Sequence, residues 1–222
     1  MPSSAETNRL NRAQLGFFGG TFDPVHFGHL ETARYISNTL SLDQMSLVPS
    51  AFPPHRHSPA ASAKQRLEML QLGADAYDEL DVDRLELDRV GPSYTVSTLI
   101  ELRGRLGAQA SLYWCVGMDV FCGLTSWHEW RTLFRLAHLI VVTRPGYSVT
   151  VPPSLSREME QRQVALGELN ESAFGSIGII DSPSLSVSAT ELREALAHNS
   201  GEAMKWLPAP VLDYIEKNRL YQ

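Results

Sequence analysis

Short apolar segments alternate with longer segments of helical periodicity along this chain, and the alternation constrains its fold more than any other feature. Between the apolar runs 15–18 and 44–49, for example, residues 30–40 repeat apolar side chains at the spacing of one helix face. Strands that alternate with helices form parallel sheets that are covered by helices on both faces. The pattern therefore predicts an α/β fold with a doubly wound parallel sheet.

The same periodicities give the expected boundaries of the elements. The predicted strands are 15–18, 44–49, 80–87, 112–116, 139–143 and 176–180, and the predicted helices are 30–40, 63–76, 95–106 and 211–218. Residues 157–169 fit either a polar helix or an ordered surface insertion. We expect a flexible polar tail at 1–14 and a single domain at 15–222, which ends in a small helical lobe.

Residues 19–29, with the sequence GGTFDPVHFGH, lie between the first predicted strand and the first predicted helix. Open α/β sheets bind their ligands at the carboxyl ends of the strands. Glycines there let backbone N–H groups approach an anion, and the helix N-terminus adds the positive end of its dipole. His26 and His29 are three residues apart, so both can face the same phosphates. The segment therefore predicts phosphate binding, although it matches neither G-x-G-x-x-G nor G-x-x-x-x-G-K-[ST].

Two other interpretations of this segment remain open. A glycine pair followed by Asp-Pro is also typical of an ordinary turn, in which single histidines are structural. The second alternative is a metal site formed by Asp23, His26 and His29. The segment nevertheless lacks the cysteine or three-histidine ligand sets and the H-E-x-x-H spacing that are typical of zinc.

Two later motifs carry side chains that suit a nucleotide phosphate. Ser188 and Glu191 match a helix capping box, beyond which Arg193 can reach toward a phosphate. His55 and Arg56 follow two prolines that stiffen their loop, and on their own they are typical of a solvated basic tip.

A third motif, GMD at residues 117–119, follows an apolar strand in the middle of the predicted sheet. The crevice rule places a nucleotide near that point. Asp119 is also a favoured N-cap residue for a following helix, and the two roles can coexist.

Composition excludes several classes of protein. Hydrophobic residues at 43% and charged residues at 20% are values of a globular domain. No apolar run approaches the ~20 residues of a membrane-spanning helix, and the N-terminus lacks the apolar core of a signal peptide, so we expect a cytoplasmic enzyme. The net charge of −6 disfavours general nucleic-acid binding. Cys115 and Cys122 form no C-x-x-C pair and are expected to be reduced thiols.

These motifs together resemble the nucleotidyltransferase superfamily, whose H-x-G-H signature follows the first strand of a Rossmann-like domain. At residues 19–29 the chain is most similar to the bacterial nicotinate-mononucleotide adenylyltransferases. Further segments occur in that family's order: PPHR at 53–56, GPSYT at 91–95, GMD at 117–119, Trp127, RPG at 144–146 and SATELR at 188–193. The resemblance covers nearly the whole chain after residue 15 and implies a Rossmann-like fold.

The resemblance also implies a reaction, in which the adenylyl group of ATP is transferred to nicotinate mononucleotide to give deamido-NAD and pyrophosphate. It implies catalysis by His26, His29 and Arg193. The implied ATP contacts are Gly19, Gly20, Thr21, Phe22, His26, Gly28, His29, His55, Arg56, Gly117, Asp119, Ser188, Thr190 and Arg193. The implied mononucleotide contacts are Ser93, Tyr94, Thr95, Asp119, Trp127 and Arg144.

By the same resemblance, Trp127 stacks on the cationic pyridine ring. Backbone N–H groups of the segment Ser93-Tyr94-Thr95, those of Tyr94 and Thr95 above all, receive the carboxylate where helix 95–106 begins, which favours nicotinate over nicotinamide. Mg²⁺ is expected to arrive bound to ATP, without dedicated protein ligands. We expect a monomer or homo-oligomer without nucleic-acid or membrane partners. The alternatives are an adenylyltransferase with another acceptor, such as nicotinamide mononucleotide, pantetheine phosphate or a polyol phosphate, and a non-catalytic nucleotide-sensing module.

Overall fold

A computed structural model describes residues 12–52, 58–143, 151–183, 187–198, 201 and 203–222. The described strands are β1 Gln14–Gly20, β2 Gln44–Pro49, β3 Leu80–Val82, β4 Ser111–Gly117, β5 His138–Thr143 and β6 Ile177–Asp181. The described helices are α1 Phe27–Leu40, α2 Ala63–Ala74, α3 Leu85–Asp88, α4 Thr95–Leu106, α5 Met118–Cys122, α6 Pro153–Arg162, α7 Ala189–Ala197 and α8 Ala209–Asn218. Short 3-10 helices occur at Leu124–Ser126, Trp130–Arg135, Leu166–Glu171 and Ala203–Lys205.

The described strands form one six-stranded sheet with the order β3-β2-β1-β4-β5-β6, and each neighbouring pair is parallel. This confirms the predicted doubly wound, Rossmann-like α/β fold. The chain runs outward from β1 to β3, then crosses to β4 and runs outward to β6. The order therefore reverses between β1 and β4, and a ligand crevice is expected at their carboxyl ends.

Both faces of the sheet are buried, as expected for parallel strands that are covered by helices. Alternate residues of β4 enter different cores. Tyr113 and Cys115 pack on the face that is covered by α1, α2 and α8, whereas Trp114 and Val116 pack on the face that is covered by α4. Helices α7 and α8 thus contribute buried residues to the same core as α1 and α2. No helix within the described ranges is long and apolar enough to cross a membrane.

The predicted third strand, 80–87, is wrong beyond Val82. Its alternating pattern is interrupted by Asp83, whose carboxylate accepts the N–H of Leu85 at 3.1 Å and begins the short helix α3. Aspartate competes with a strand in this way because its side chain bonds to nearby backbone groups.

Other boundaries differ by a few residues. Helix α1 begins at Phe27, three residues before the predicted start, since the apolar stripe marks only its buried face. The segment 157–169 contains both the end of a helix and part of a 3-10 helix. Strand β1 begins at Gln14, inside the expected tail, whose residues 1–11 lie outside the described residues.

Candidate active site

His26 and His29 lie together where β1 leads into α1. His26 is the N-cap residue of α1 and is 3% exposed. The two imidazole rings stack with their centroids 3.7 Å apart, and the ring of Phe22 meets His29 edge-on at 5.0 Å. The predicted proximity of the two histidines is therefore confirmed, and both stand at the carboxyl end of a strand beside the crevice.

Two glycines make this arrangement possible. A Cβ atom at Gly28 would lie 2.9 Å from the imidazole of His26 and 2.9 Å from Val187 Cγ1, so a side chain there would displace the histidine. A Cβ atom at Gly19 would lie 2.7 Å from the ring of Trp114. The glycines in the H-x-G-H and Gly-Gly motifs thus leave room for neighbouring side chains as well as for a ligand.

Asp23 holds the loop between β1 and α1, which from here on is called the signature loop (residues 19–29). Its carboxylate accepts the N–H groups of Ala60 at 2.7 Å and Ala61 at 3.1 Å, and the hydroxyl of Tyr221 at 2.7 Å. Both oxygens are therefore used within the protein. This argues against the alternative in which Asp23 is a metal ligand, and the described residues form no cluster of three or more His, Cys, Asp or Glu suited to a metal.

Arg66 also holds the signature loop, through hydrogen bonds to backbone carbonyl groups. The sequence analysis missed this residue. Its side chain is 1% exposed and donates hydrogen bonds to the carbonyl oxygens of Thr21 and Ser50, each at 2.7 Å. Burial lowers the pKa of Arg66, and the nearby Asp23 carboxylate opposes that shift. The available signal was an arginine on the apolar face of a helix, three and four residues before Met69 and Leu70.

Helix α7 brings Arg193 to the signature loop. Arg193 Nη1 donates to the carbonyl oxygen of Asp23 at 2.8 Å, and Nη2 donates to Thr190 Oγ1 at 3.2 Å. The predicted capping box is confirmed, because Ser188 Oγ accepts the N–H of Glu191 and Ser188 donates to the Glu191 carboxylate. The hydroxyl of Ser188 is thus engaged in the cap, whereas Thr190 is exposed beside Arg193.

The helix that should receive the acceptor's carboxylate begins as predicted, at Thr95, with Tyr94 as its N-cap residue. The backbone N–H of Ser93 donates to the carbonyl of Phe52 at 3.1 Å, and that of Tyr94 donates to Pro92 at 3.0 Å. These two N–H groups are therefore used within the protein. The prediction that the N–H groups of Ser93 and Tyr94 receive the carboxylate is therefore wrong. The N–H groups of the first turn of α4, from Thr95 onward, have no partner within the helix and stay the predicted carboxylate seat.

The hydroxyl of Ser93 links this helix start to the end of β2. Ser93 Oγ accepts the N–H groups of Ala51 at 3.0 Å and Phe52 at 3.2 Å. Ser93 also bonds to the carboxylate of Glu86, which accepts the hydroxyl of Thr98 at 2.6 Å. Burial raises the pKa of Glu86, and these two hydroxyls counteract the shift. The sequence analysis missed Glu86, whose partners lie on α4 and its N-terminal turn.

Trp127 and Trp130 have different environments. Trp130 is buried in the core, and Trp127 is half-buried after the 3-10 helix Leu124–Ser126. The neighbouring His128 packs against Tyr94, with ring centroids 4.6 Å apart. Trp127 is thereby near the start of α4, on the side of the crevice where the acceptor is expected.

At the end of β4, the N-cap residue of α5 is Gly117, so the interpretation of Asp119 as that N-cap is wrong. Asp119 is an exposed residue of the first turn. Because β4 pairs with β1, the end of β4 lies next to the end of β1, where the signature loop begins. His55, Arg56 and Arg144 lie outside the described residues.

The chain is similar to known proteins in sequence and in fold. The cytidylyltransferase-like family model matches residues 17–195. The chain is 45% identical over 212 residues to the probable nicotinate-nucleotide adenylyltransferase of Cellvibrio japonicus, which covers 95% of this chain and 100% of that protein. It is 46% identical over 213 residues to the protein of the same name from Chromobacterium violaceum, with 95% and 99% covered. The solved structure of Plasmodium falciparum nicotinic acid mononucleotide adenylyltransferase complexed with NaAD is similar in fold, with a TM-score of 0.70 and 20% identity over 93% of this chain and 96% of that chain.

Proposed function

Because the chain belongs to the cytidylyltransferase-like family and to its nicotinate-nucleotide adenylyltransferases, we propose that it transfers the adenylyl group of ATP to nicotinate mononucleotide. The acceptor phosphate attacks the α-phosphorus of ATP, and a new P–O bond forms as the bond to pyrophosphate breaks. The products are deamido-NAD and pyrophosphate, in a step of NAD biosynthesis. The acceptor phosphate is already negatively charged, so positioning and charge stabilisation suffice without a general base.

The observation that carries this proposal is the convergence of His26, His29 and Arg193 at one end of the sheet. The two imidazoles stack at 3.7 Å, and Arg193 bonds to the backbone of the same loop at 2.8 Å. We assign these three residues to the charge that develops on the α-phosphate and the departing pyrophosphate. The backbone of Gly19, Gly20, Thr21 and Phe22 and the first turn of α5 flank the same crevice and are the proposed remaining ATP contacts.

The proposed acceptor seat combines a negative-charge site with an aromatic surface. The first turn of α4 offers N–H groups and the Thr95 hydroxyl to a carboxylate. Trp127 offers an electron-rich face to a cationic pyridine ring. This pairing favours nicotinate mononucleotide over the amide. The contacts of His55 and Arg56 with ATP, and of Arg144 with the mononucleotide, stay predictions from the sequence.

The donor groups at the site suit phosphate oxygens better than a resident metal ion. They are imidazoles, a guanidinium and backbone N–H groups, and the described part of the chain holds no cluster of three or more acidic, His or Cys ligands. We therefore propose that Mg²⁺ enters with ATP, held by phosphate oxygens and water, where it neutralises phosphate charge.

A panel of acceptors tests the reaction and its substrate together. The purified protein is mixed with ATP, Mg²⁺ and one acceptor at a time, and pyrophosphate release is measured. Nicotinate mononucleotide should give a higher kcat/KM than nicotinamide mononucleotide, pantetheine phosphate or a polyol phosphate. The amide is the closest control, since it differs only at the group that α4 receives.

Two other outcomes have definite meanings. A higher kcat/KM with another phosphorylated acceptor would keep adenylyl transfer and replace the substrate. Binding of ATP without release of pyrophosphate in the presence of any acceptor would instead support a nucleotide-sensing module.

We also propose that the protein acts in the cytoplasm. Cys115 is buried and Cys122 is half-buried, and both are free thiols. Burial raises the pKa of Cys115 to about 12, which keeps this thiol protonated and unreactive. Free thiols are typical of proteins in a reducing compartment. Fractionation of cells, followed by detection of the protein, tests this proposal.

A further inference from the structure

We propose that Tyr221 is a positioning residue for the phosphate site, acting on Arg193 through Asp23. This inference rests on the proposed adenylyl transfer, because it concerns how the same site is held in shape. Tyr221 lies near the end of the sequence, and its hydroxyl bonds to a residue of the signature loop that is 198 positions away. No sequence motif suggests this contact.

Asp23 has two separate partners, one at its side chain and one at its backbone. Its carboxylate receives the Tyr221 hydroxyl at 2.7 Å, and its backbone carbonyl receives Arg193 Nη1 at 2.8 Å. Both contacts belong to one residue, so a backbone rotation at Asp23 that follows the loss of a partner of its carboxylate would also move the carbonyl oxygen that holds Arg193.

Two residues with left-handed backbone conformations bring Tyr221 to this position. Helix α8 ends at Asn218, its C-cap residue Arg219 adopts φ 50°, and Tyr221 adopts φ 63°. Such left-handed conformations are unfavourable for residues other than glycine and persist where the surroundings require them. Together they turn the chain back from α8 toward the signature loop.

The same region of the chain braces the signature loop at a second point. The N–H of Phe27, the first residue of α1, donates to the carbonyl of Trp206 at 2.9 Å. The segment 203–221 therefore contacts the loop both at Asp23 and at the helix start beside His26. Its contribution to the site is one of geometry, since neither contact uses an atom that would touch substrate.

The charges around Tyr221 favour a stable hydroxyl donor. Burial and the bond to Asp23 raise the pKa of Tyr221 far above its usual range, although Arg193 and Arg66 oppose the shift. The phenol thus stays protonated, and it donates to a carboxylate that interacts with the Arg66 guanidinium. Arg193 bonds to the backbone carbonyl of the same aspartate. Without the hydroxyl, the Asp23 carboxylate would lose a donor and turn toward Arg193, which would draw the guanidinium away from the phosphates.

The test compares Tyr221→Phe with Tyr77→Phe. The second variant removes a similar bond, from a half-buried tyrosine to Glu31 at 2.8 Å, that does not involve the signature loop. We expect Tyr221→Phe to weaken ATP binding and to lower kcat by about tenfold or more, the scale for a hydrogen bond to a charged group. The affinity of Tyr221→Phe for nicotinate mononucleotide should stay within about twofold of that of the unmodified enzyme. Tyr77→Phe should keep both its ATP affinity and its kcat within about twofold as well.

A double-mutant cycle then tests whether the effect passes through Arg193. In an Arg193→Ala background, Tyr221→Phe should change ATP affinity by no more than about twofold. Full additivity of the two changes would overturn the proposal, as would equal losses of ATP and mononucleotide affinity in Tyr221→Phe. Circular dichroism and thermal midpoints show that each variant is folded.

The two proposals fail in distinguishable ways. If the unmodified protein releases no pyrophosphate with any acceptor, adenylyl transfer is wrong, and calorimetric titration with ATP still tests the role of Tyr221. If the unmodified protein is active and Tyr221→Phe matches it in ATP affinity and kcat, the positioning role is wrong and the proposed reaction stands.

Discussion

The stacking of the His26 and His29 imidazoles depends on the absence of a side chain at Gly28. Gly28 has no Cβ, and this gives the ring of His26 its place against His29. The spacing of three residues predicts that both histidines face one ligand, and their proximity is confirmed. Their contact with phosphate stays a prediction.

Replacing His29 with alanine should test that contact. We expect His29→Ala to keep the fold and to lose turnover by on the order of 10²-fold, the scale for one removed transition-state donor. Pyrophosphate release by the purified variant measures the loss. His198→Ala is a matched control, because His198 is exposed at the far end of α7. Near-normal turnover in folded His29→Ala would contradict the assignment.

Trp127 allows a separate test of the acceptor side. Trp127→Ala should weaken the binding of nicotinate mononucleotide by roughly 1–3 kcal/mol, the scale for base stacking on an aromatic side chain, and should leave ATP binding nearly unchanged. Trp127→Phe keeps an aromatic face and should lose less. Titration calorimetry with each ligand measures both effects, and equal weakening of ATP and acceptor would exclude a stacking role.

Sequence reasoning at the level of single residues succeeded for His26 and His29 and failed for the residues that hold them. Arg66 bonds to Thr21 across 45 positions, and Asp23 bonds to Ala60 across 37. A local motif contains no information about such partners. A buried arginine or aspartate acquires its role only when the fold brings backbone groups to it.

At the scale of elements, periodicity worked where one physical effect dominated. Strand β2 and helix α4 have the predicted bounds, because each is a single apolar pattern that ends at a clear boundary. Periodicity failed at β3, because the pattern with period two also contains Asp83. The N–H of Leu85 bonds to the Asp83 side chain, and a helix begins there.

The capping box of α7 gives a prediction at this scale. Ser188→Ala should lower the free energy of unfolding by about 1 kcal/mol, because an alanine leaves the N–H of Glu191 without its cap. Ser188→Thr keeps a hydroxyl and should lower the free energy of unfolding by only roughly a few tenths of a kcal/mol. Urea denaturation measures both. Equal stability of Ser188→Ala and the unmodified protein would mean that the cap contributes nothing to α7.

For the whole molecule, the order of the strands assembles the site. The segments 19–29, 93–95, 117–119 and 188–193 are far apart in sequence, and the reversal between β1 and β4 gathers them at one edge. Alternating strands and helices predicted a parallel sheet. The order of strands within it depends on which helix packs on which face, and no local pattern encodes that choice.

Stability of the whole domain should decrease in acid because of His138 on β5. Its Nε2 lies 3.0 Å from the carbonyl of Ser172, its Nδ1 accepts the N–H of Ser176, and its ring stacks on Tyr113. Burial lowers the pKa of His138 to about 4, from an ordinary value of 6.5. The unfolded chain therefore binds a proton first, so stability is lost as pH falls between these two values.

The pKa shift of His138 sets the size of this loss of stability, which is about 3 kcal/mol of unfolding free energy when the pH has fallen to the folded-state pKa. Urea denaturation at several pH values measures it. The free energy of unfolding of His138→Gln should fall less steeply with decreasing pH than that of the unmodified protein. His198→Gln, which changes an exposed histidine, should show the same decline as the unmodified protein. Parallel curves for His138→Gln and the unmodified protein would show that another group causes the acid sensitivity.

The contact between Tyr221 and Asp23 also has a consequence for synthesis. Chains are made from the N-terminus, and domains begin to fold as they emerge. The sheet can assemble while translation continues, but Asp23 must wait for a residue that the ribosome adds 198 positions later. A chain truncated before Tyr221 would keep every described strand and the residues of the signature loop, and yet it would lack the bond between Tyr221 and Asp23. We expect such a truncated chain to fold and to be poorly active.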